Sequence, residues 1–205
     1  MTTPELVTSE AELNDRRESI RHWVQQLVKA AWIGADFRPI GAARKAIAIH
    51  QGATDFPYTD WRVSVSDALA LSYYEVWEYL GARQARRRPG SRRALALPRY
   101  RLIKAYFHVY EARSELEEHP LLLLHCDPTE PESSIHYKYK IGPHIHLEVA
   151  GDPWRKAHIA LCHGWQKQAL RDLGSLDRAM TCAVELVSDE LISLAVSRKE
   201  LQSGC

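Results

Sequence analysis

Histidine is concentrated in one stretch of the sequence. Seven of the ten histidines in the 205-residue chain lie between residues 119 and 163, and two of them, His144 and His146, flank Ile145. Alternate residues of a β-strand project from the same face, so both imidazoles would point the same way. Histidine is also the commonest protein ligand for metal ions. The pair therefore indicates a site for one divalent metal ion, with positions left open for water or a phosphate oxygen.

A third ligand would complete that site. Four nearby residues carry suitable nitrogen or oxygen atoms, and the sequence does not choose among them: His136, Glu148, Asp152 and His158. We take His158 as the leading third metal ligand. Glu148 follows the histidine pair on the same strand face, so it is also a candidate catalytic acid–base residue.

A predicted hairpin over residues 135–149 decides which side chains surround the histidines. With a two-residue loop, Tyr139 lies opposite His146, which makes Tyr139 a candidate catalytic residue. With a three-residue loop, the register shifts and lysine side chains face the site instead: Lys138 and Lys140. Both registers stay open at this point.

A second chemical feature is a run of eight arginines, without any acid, between residues 83 and 101. Such a run can neutralise several phosphates, which favours nucleic acid as a partner. The central arginines are the predicted contacts: Arg86, Arg87, Arg88, Arg92 and Arg93. A solvated helix end is the alternative, because cations are also favourable near a helix C-terminus. Residues 111–132 carry seven acids, so charge pairing within the chain or with a neighbouring subunit is a third interpretation.

The hydrophobic pattern predicts the elements that position these residues. Apolar residues recur at helical intervals in three places, and the first helix follows a capping box at Ser9 and Glu12. Alternating or short apolar runs predict five strands. The helices are expected at about 13–31, 66–86 and 176–198, and the strands at 101–110, 120–127, 135–141, 144–149 and 157–162. Residues 44–50 are compatible with either structure.

Sequential strands without intervening helices indicate an antiparallel meander. We therefore expect an α+β fold in which a β meander packs against amphipathic helices at both ends of the chain. In the predicted division, residues 1–98 form a helical region ending in the arginine-rich linker. Residues 99–205 hold the meander and the last helix, and the two regions pack as one compact unit.

Composition limits the class of protein. Net charge is +1 and 45% of the residues are hydrophobic, as in an ordinary globular domain. The four cysteines are scattered and form no Cys-x-x-Cys pair, which favours reduced thiols and a cytoplasmic protein. Cys126 follows His125, and neighbouring strand residues point to opposite faces, so the two form no catalytic dyad. The N-terminal residues lack the apolar segment of a signal peptide, and the longest apolar run is too short for a bilayer.

The segment from Tyr137 to Leu147 resembles two protein families. His144 and His146 match the motif of HUH endonucleases, whose two metal-binding histidines flank a hydrophobic residue on a central strand. The aromatic strands, the histidine-rich turn and the C-terminal helix are similar to the TumE-like toxin components of prokaryotic toxin–antitoxin systems. This resemblance implies metal-assisted cleavage of nucleic acid in a toxin or defence role.

Two functions are therefore expected from the sequence. The leading one is a metal-assisted phosphodiesterase or nuclease-like protein that acts on nucleic acid. The alternative is a non-catalytic interaction subunit of a larger prokaryotic assembly, in which amphipathic helices and the six tryptophans contact a partner protein or a second copy. No membrane partner is expected.

Overall fold

In a computed structural model of the chain, the described residues are 6–28, 33–51, 63–66, 69–82, 98–111, 119–128, 143–147, 157–160 and 172–187. They form nine strands and two helices, in the order β1 (Val7–Ser9), α1 (Glu10–Val28), β2 (Ile33–Ile40), β3 (Arg44–Gln51), β4 (Val63–Ser66), β5 (Leu69–Ala82), β6 (Pro98–Glu111), β7 (His119–Cys126), β8 (Pro143–Leu147), β9 (Ala157–Ala160) and α2 (Leu173–Val187). Neither helix is long and apolar enough to cross a membrane.

All nine strands belong to one antiparallel sheet. Seven follow one another in the order β2-β3-β5-β6-β7-β8-β9, while β1 pairs with β6 and β4 pairs with β5. The central strands β5 and β6 are each 14 residues long and pair with each other. The sheet thus contains strands from both predicted regions, residues 1–98 and residues 99–205. The division of the chain into these two regions stays a prediction.

The predicted α+β class, a β meander with helices at both ends of the chain, is wrong. One antiparallel sheet takes up most of the described residues, and the helix predicted over residues 66–86 is strand β5. Leu69, Tyr73 and Trp77 are four residues apart. That spacing puts side chains on one face of a helix and equally on one face of a strand, so it cannot distinguish the two structures.

Burial on both faces of β5 also hides the strand pattern. Tyr73 and Trp77 are fully buried on one face, while Ser72 and Val76 on the other are only 5% and 3% exposed. A strand covered on both sides lacks the clean alternation of apolar and polar residues that identifies a half-buried strand. The sequence of β5 is therefore ambiguous without its neighbours.

Four of the predicted strands are confirmed. The strands expected at 101–110, 120–127, 144–149 and 157–162 correspond to β6, β7, β8 and β9, and the open segment 44–50 is strand β3. In β6, Ala105, Phe107 and Val109 are buried at alternate positions. The strand expected at 135–141 lies outside the described residues.

The first helix begins at the predicted capping box. The Ser9 N–H donates to Glu12 Oε2 at 2.8 Å, and the Glu12 N–H donates to Ser9 Oγ at 3.3 Å. These bonds satisfy backbone donors that have no partner inside the helix. The apolar stripe of α1 is then fully buried: Leu13, Ile20 and Val24.

Both helices pack on the same side of the sheet, which we call the helix face. Leu13 of α1 and Leu176 of α2 belong to one apolar cluster with Tyr73, Phe107 and Leu124 of the sheet. Residues that alternate with the last three point to the opposite side, which we call the histidine face. The core therefore lies on the helix face.

A buried ion-pair network joins the elements of the helix face. Arg16 Nε lies 2.9 Å from Oε1 of Glu75, and both side chains are at most 1% exposed. The same carboxylate accepts hydrogen bonds from the hydroxyl of Tyr73 and, at 3.0 Å, from Trp77 Nε1, and Arg16 also pairs with Asp177 of α2. Burial lowers the pKa of Arg16, but the charge and hydrogen bond of Glu75 and the charges of Tyr73 and Asp177 together outweigh it and raise the pKa above its usual value. The network therefore connects α1, β5 and α2, and both oxygens of the Glu75 carboxylate accept hydrogen bonds.

Candidate metal centre

Three histidines meet on the histidine face where β7 and β8 pair. His125 of β7 lies directly opposite His144 of β8, and His146 is two residues further along β8. Directly opposed residues of antiparallel strands share a face, as do alternate residues of one strand. The prediction that His144 and His146 point the same way is confirmed, since their Nε2 atoms are 3.0 Å apart.

The three imidazoles are close enough to bind one metal ion. One ring nitrogen from each of His125, His144 and His146 lies within 4.8 Å of the others. Zn²⁺ binds imidazole nitrogen at about 2.0–2.1 Å, so two nitrogens of a tetrahedral site lie about 3.3 Å apart. The 3.0 Å between His144 and His146 is near that value. His144 is fully buried and the other two rings are partly buried, so the cluster lies at the edge of the interior.

His125 is the candidate ligand that the sequence did not reveal. His158 was the expected third ligand; its backbone lies opposite His146 in the pairing of β8 with β9, and its side chain is outside the described part of the structure. Glu148, His136 and Asp152 also lie outside it. The alternation of β7 places His125 away from its buried neighbours. Only the register between β7 and β8 shows that His125 lies beside His144 and His146.

The predicted hairpin between residues 135–141 and β8 is wrong. β8 pairs with β7 through residues 143–146 and with β9 through residues 144–147. A strand has two hydrogen-bonding edges, and both edges of β8 are used. Tyr139 itself lies outside the described residues, so its catalytic role stays a prediction, as does that of Glu148.

The electrostatics of the cluster favour a neutral His125 ring. Burial, followed by the positive charge of His146, His108, His144 and Lys104, lowers the pKa of His125 to about 2. A neutral imidazole keeps a lone pair for a metal ion, whereas a protonated ring has none. His125 is therefore neutral, as a metal ligand must be, throughout the neutral pH range.

Tyr106 and Asp127 hold the cluster from one side. The Tyr106 ring stacks on His125, with ring centroids 3.7 Å apart and planes within 7°. The Tyr106 hydroxyl donates to Asp127 Oδ1 at 2.9 Å, and Oδ2 of the same carboxylate is 3.8 Å from His144 Nε2. Tyr106 thus fixes the plane of one histidine and the position of an acid beside another.

His108 approaches His125 from the neighbouring strand β6. Their Nε2 atoms are 2.8 Å apart, and His108 Nδ1 lies 2.9 Å from the Tyr110 hydroxyl. Histidines of β6, β7 and β8 therefore form one continuous group on the histidine face.

Aromatic rings extend the histidine face away from the cluster. Tyr74 lies opposite Tyr106 in the β5–β6 pairing, and their ring centroids are 5.4 Å apart. Lys104 Nζ lies 5.3 Å from the first ring centroid and 4.7 Å from the second. Burial raises the pKa of Tyr74 to about 12, so this ring is neutral beside the cation.

Two other sequence predictions can be compared with the structure. Cys126 is fully buried in the core, on the face opposite His125, so the expected absence of a dyad between them is confirmed, and burial raises the pKa of its thiol. The five central arginines lie outside the described residues: Arg86, Arg87, Arg88, Arg92 and Arg93. At the end of that run, Arg101 pairs with Glu78 of β5.

Comparisons with family models, with curated proteins and with solved structures found no match for this chain. The fold and the site together define an antiparallel β-sheet protein with a candidate three-histidine metal centre. The resemblance to HUH endonucleases and TumE-like toxins stays an expectation.

Proposed function

We propose that this protein is a metal-dependent hydrolase of the toxin or defence type that cleaves phosphodiester bonds in nucleic acid. His125, His144 and His146 are the ligands of its single divalent metal ion. One observation carries the proposal: a ring nitrogen from each of these histidines lies within 4.8 Å of the others on two adjacent strands.

The donor set favours a borderline transition metal such as zinc, because three imidazole nitrogens suit that class better than magnesium or calcium. A three-ligand site leaves a coordination position for water, and a bound divalent metal supplies a nucleophile by lowering the pKa of that water. Asp127 is the described acid beside the cluster, with Oδ2 at 3.8 Å from His144 Nε2. It is the candidate group to accept a proton there.

The neighbouring aromatic rings support nucleic acid as the substrate class. Nucleic acid presents flat bases and negative phosphates, and proteins bind single strands with aromatic rings next to basic side chains. Tyr74 and Tyr106 offer such rings with Lys104 between them. All three side chains are partly exposed on the face that carries the histidines. The arginine-rich segment, with its predicted backbone contacts, would add positive charge.

The first test is the metal content of the purified protein, measured by elemental mass spectrometry after reconstitution with zinc or manganese. We expect about one metal ion per chain in the wild type and a near-complete loss in H144A/H146A and in H125A. The matched control is H22A, which removes an exposed histidine of α1. Absence of metal from the wild type would contradict the proposal. It would favour the interaction-subunit alternative, which light scattering then tests through the mass of the protein.

The second test is cleavage of fluorescently labelled single-stranded RNA and DNA. Activity should require added metal, and H125A should abolish it. Y74L should weaken binding of the oligonucleotide more than Y79L does, because Tyr79 and Tyr100 form a cross-strand pair on the same two strands but distant from the cluster. Equal effects of the two substitutions would exclude the aromatic face as the substrate site.

A further inference from the structure

Two side chains of β6 form a hydrogen-bonded chain that ends at His125. His108 Nε2 lies 2.8 Å from His125 Nε2, and His108 Nδ1 lies 2.9 Å from the hydroxyl of Tyr110. Both ring nitrogens of His108 are therefore used in hydrogen bonds. His108 and Tyr110 are alternate residues of one strand, so the strand itself sets their spacing.

His108 stands outside the group that can bind the metal. Among the described residues, the group of three whose ligand nitrogens all lie within 4.8 Å of one another consists of His125, His144 and His146, and His108 is not a member of it. Its close contact is with a ligand. Metal-binding histidines commonly use the second ring nitrogen to bond a neighbouring group, which fixes the tautomer and the ring orientation.

The donors and acceptors allow two directions along this chain. In the first, His125 Nε2–H donates to His108 Nε2, and His108 Nδ1–H donates to the Tyr110 oxygen. In the second, the Tyr110 hydroxyl donates to His108 Nδ1, and His108 Nε2–H donates to His125. A neutral imidazole has one N–H and one lone pair. In the second direction the His125 lone pair is occupied by His108, so only the first direction leaves a lone pair for a metal.

We propose that His108 is a positioning residue that holds His125 in the Nε2–H tautomer, so that His125 binds the metal through Nδ1. Tyr110 completes the chain, because its hydroxyl oxygen accepts the hydrogen bond from His108 Nδ1–H. The inference rests on the proposed metal centre, because it assigns the nitrogen through which one of its three ligands binds. His144 and His146, whose Nε2 atoms approach each other at 3.0 Å, bind through Nε2.

Nuclear magnetic resonance of ¹⁵N-labelled histidine rings tests the tautomer directly, first without metal and then with one equivalent of zinc. We expect His125 and His108 to carry protons on Nε2 and Nδ1 respectively in both states. On zinc addition, the His125 Nδ1 resonance should shift with the Nε2 resonances of the other two ligands. Zinc binding at Nε2 of His125, or the opposite tautomers without metal, would overturn the inference.

Zinc affinity of substituted proteins gives the second readout. H108L removes the acceptor and should weaken zinc binding by about 10–100-fold. H108Q restores an acceptor oxygen near the position of Nε2, so it should recover most of that loss, which a purely structural role of the ring would not predict. Y110F should have a smaller effect, and Y100F, at the other end of β6, should have none. Unchanged zinc affinity in a folded H108L protein would contradict the proposal.

Different results would contradict the metal centre and the role of His108. If the wild type binds no zinc, the metal centre fails, and the tautomers of the metal-free protein still decide whether His108 orients His125. If the wild type binds zinc but H108L binds it equally well, the metal centre stands and the role of His108 falls. Thermal unfolding of each metal-free variant checks that the affinities refer to folded protein.

Discussion

The two faces of the sheet use the same strands for different purposes. On the helix face, Tyr73, Phe107 and Leu124 pack into the core under both helices. On the histidine face, Tyr74, Tyr106 and His125 form a row of directly opposed residues that continues to His144. On the helix face, the groups of the buried ion-pair network bind one another. On the histidine face, the imidazole rings bring together nitrogen atoms that can bind a metal ion. Because alternate residues of a strand point to opposite faces, the residues that stabilise the fold differ from those of the candidate metal centre. Substitutions on the two faces should therefore affect stability and metal binding separately.

The largest expected effect on stability comes from the buried ion pair of the helix face. R16M leaves the carboxylate of Glu75 buried without its charge partner, which should lower the free energy of unfolding by about 3–5 kcal/mol. Urea denaturation measures the loss. R21M is the matched control, because Arg21 pairs with Glu18 on the exposed side of the same helix, and it should cost less than about 1 kcal/mol. Equal losses would show that Arg16 is not part of a buried network.

Two adjacent residues of β7 offer a sharp contrast between the faces. L124A removes a fully buried side chain and should lower the free energy of unfolding by about 2–5 kcal/mol while zinc binding persists in the folded fraction. H125A should abolish zinc binding at a smaller cost in metal-free stability. Chemical denaturation and zinc titration of both variants measure the two effects. Loss of zinc binding in L124A, together with its retention in H125A, would contradict this difference between the two faces.

Zinc itself should stabilise the fold through the histidine face. At free zinc of 100 times the dissociation constant, binding to the native state alone contributes about 2.7 kcal/mol. The melting temperature of the wild type should rise with zinc, and a chelator should reverse the rise. H144A should show no such response, while H22A should respond like the wild type. A zinc-dependent rise that survives in H144A would place the metal elsewhere.

Another effect is expected on the pH dependence of metal-free stability, and it is small near neutral pH. The pKa of His125 is lowered to about 2 in the folded protein, against 6.5 in the unfolded chain. Below pH 6.5 the unfolded chain binds a proton that the folded chain does not, so stability falls as pH falls towards 2, by up to about 1.4 kcal/mol per pH unit. H125L should flatten this decline, measured by urea denaturation between pH 7 and 4. A slope as steep as that of the wild type would mean that His125 is protonated in the folded protein.

Local pattern predicted the elements whose two faces differ most. The capping box and apolar stripe located α1, and alternation located β6 and β7, because each has one buried face and one polar face. Strand β5 was mistaken for a helix because its buried residues are four apart and its second face is also covered. The class of the fold depended on that one element.

Only the part of the candidate centre that lies on a single strand could be predicted from the sequence. His144 and His146 share a face by strand geometry alone, without any knowledge of the fold. His125 is nineteen residues earlier in the chain and joins them through the register of β7 against β8. Register is a property of two strands and the sheet around them, so the sequence of either strand could not supply it.

The most direct test of the three-histidine centre is anomalous diffraction at the zinc absorption edge from crystals of the zinc-loaded protein. We predict one strong peak about 2.0–2.1 Å from a ring nitrogen of each of His125, His144 and His146. A peak bound by other residues, with His125 turned away from it, would contradict the three-histidine centre. So would the absence of any peak from this part of the histidine face.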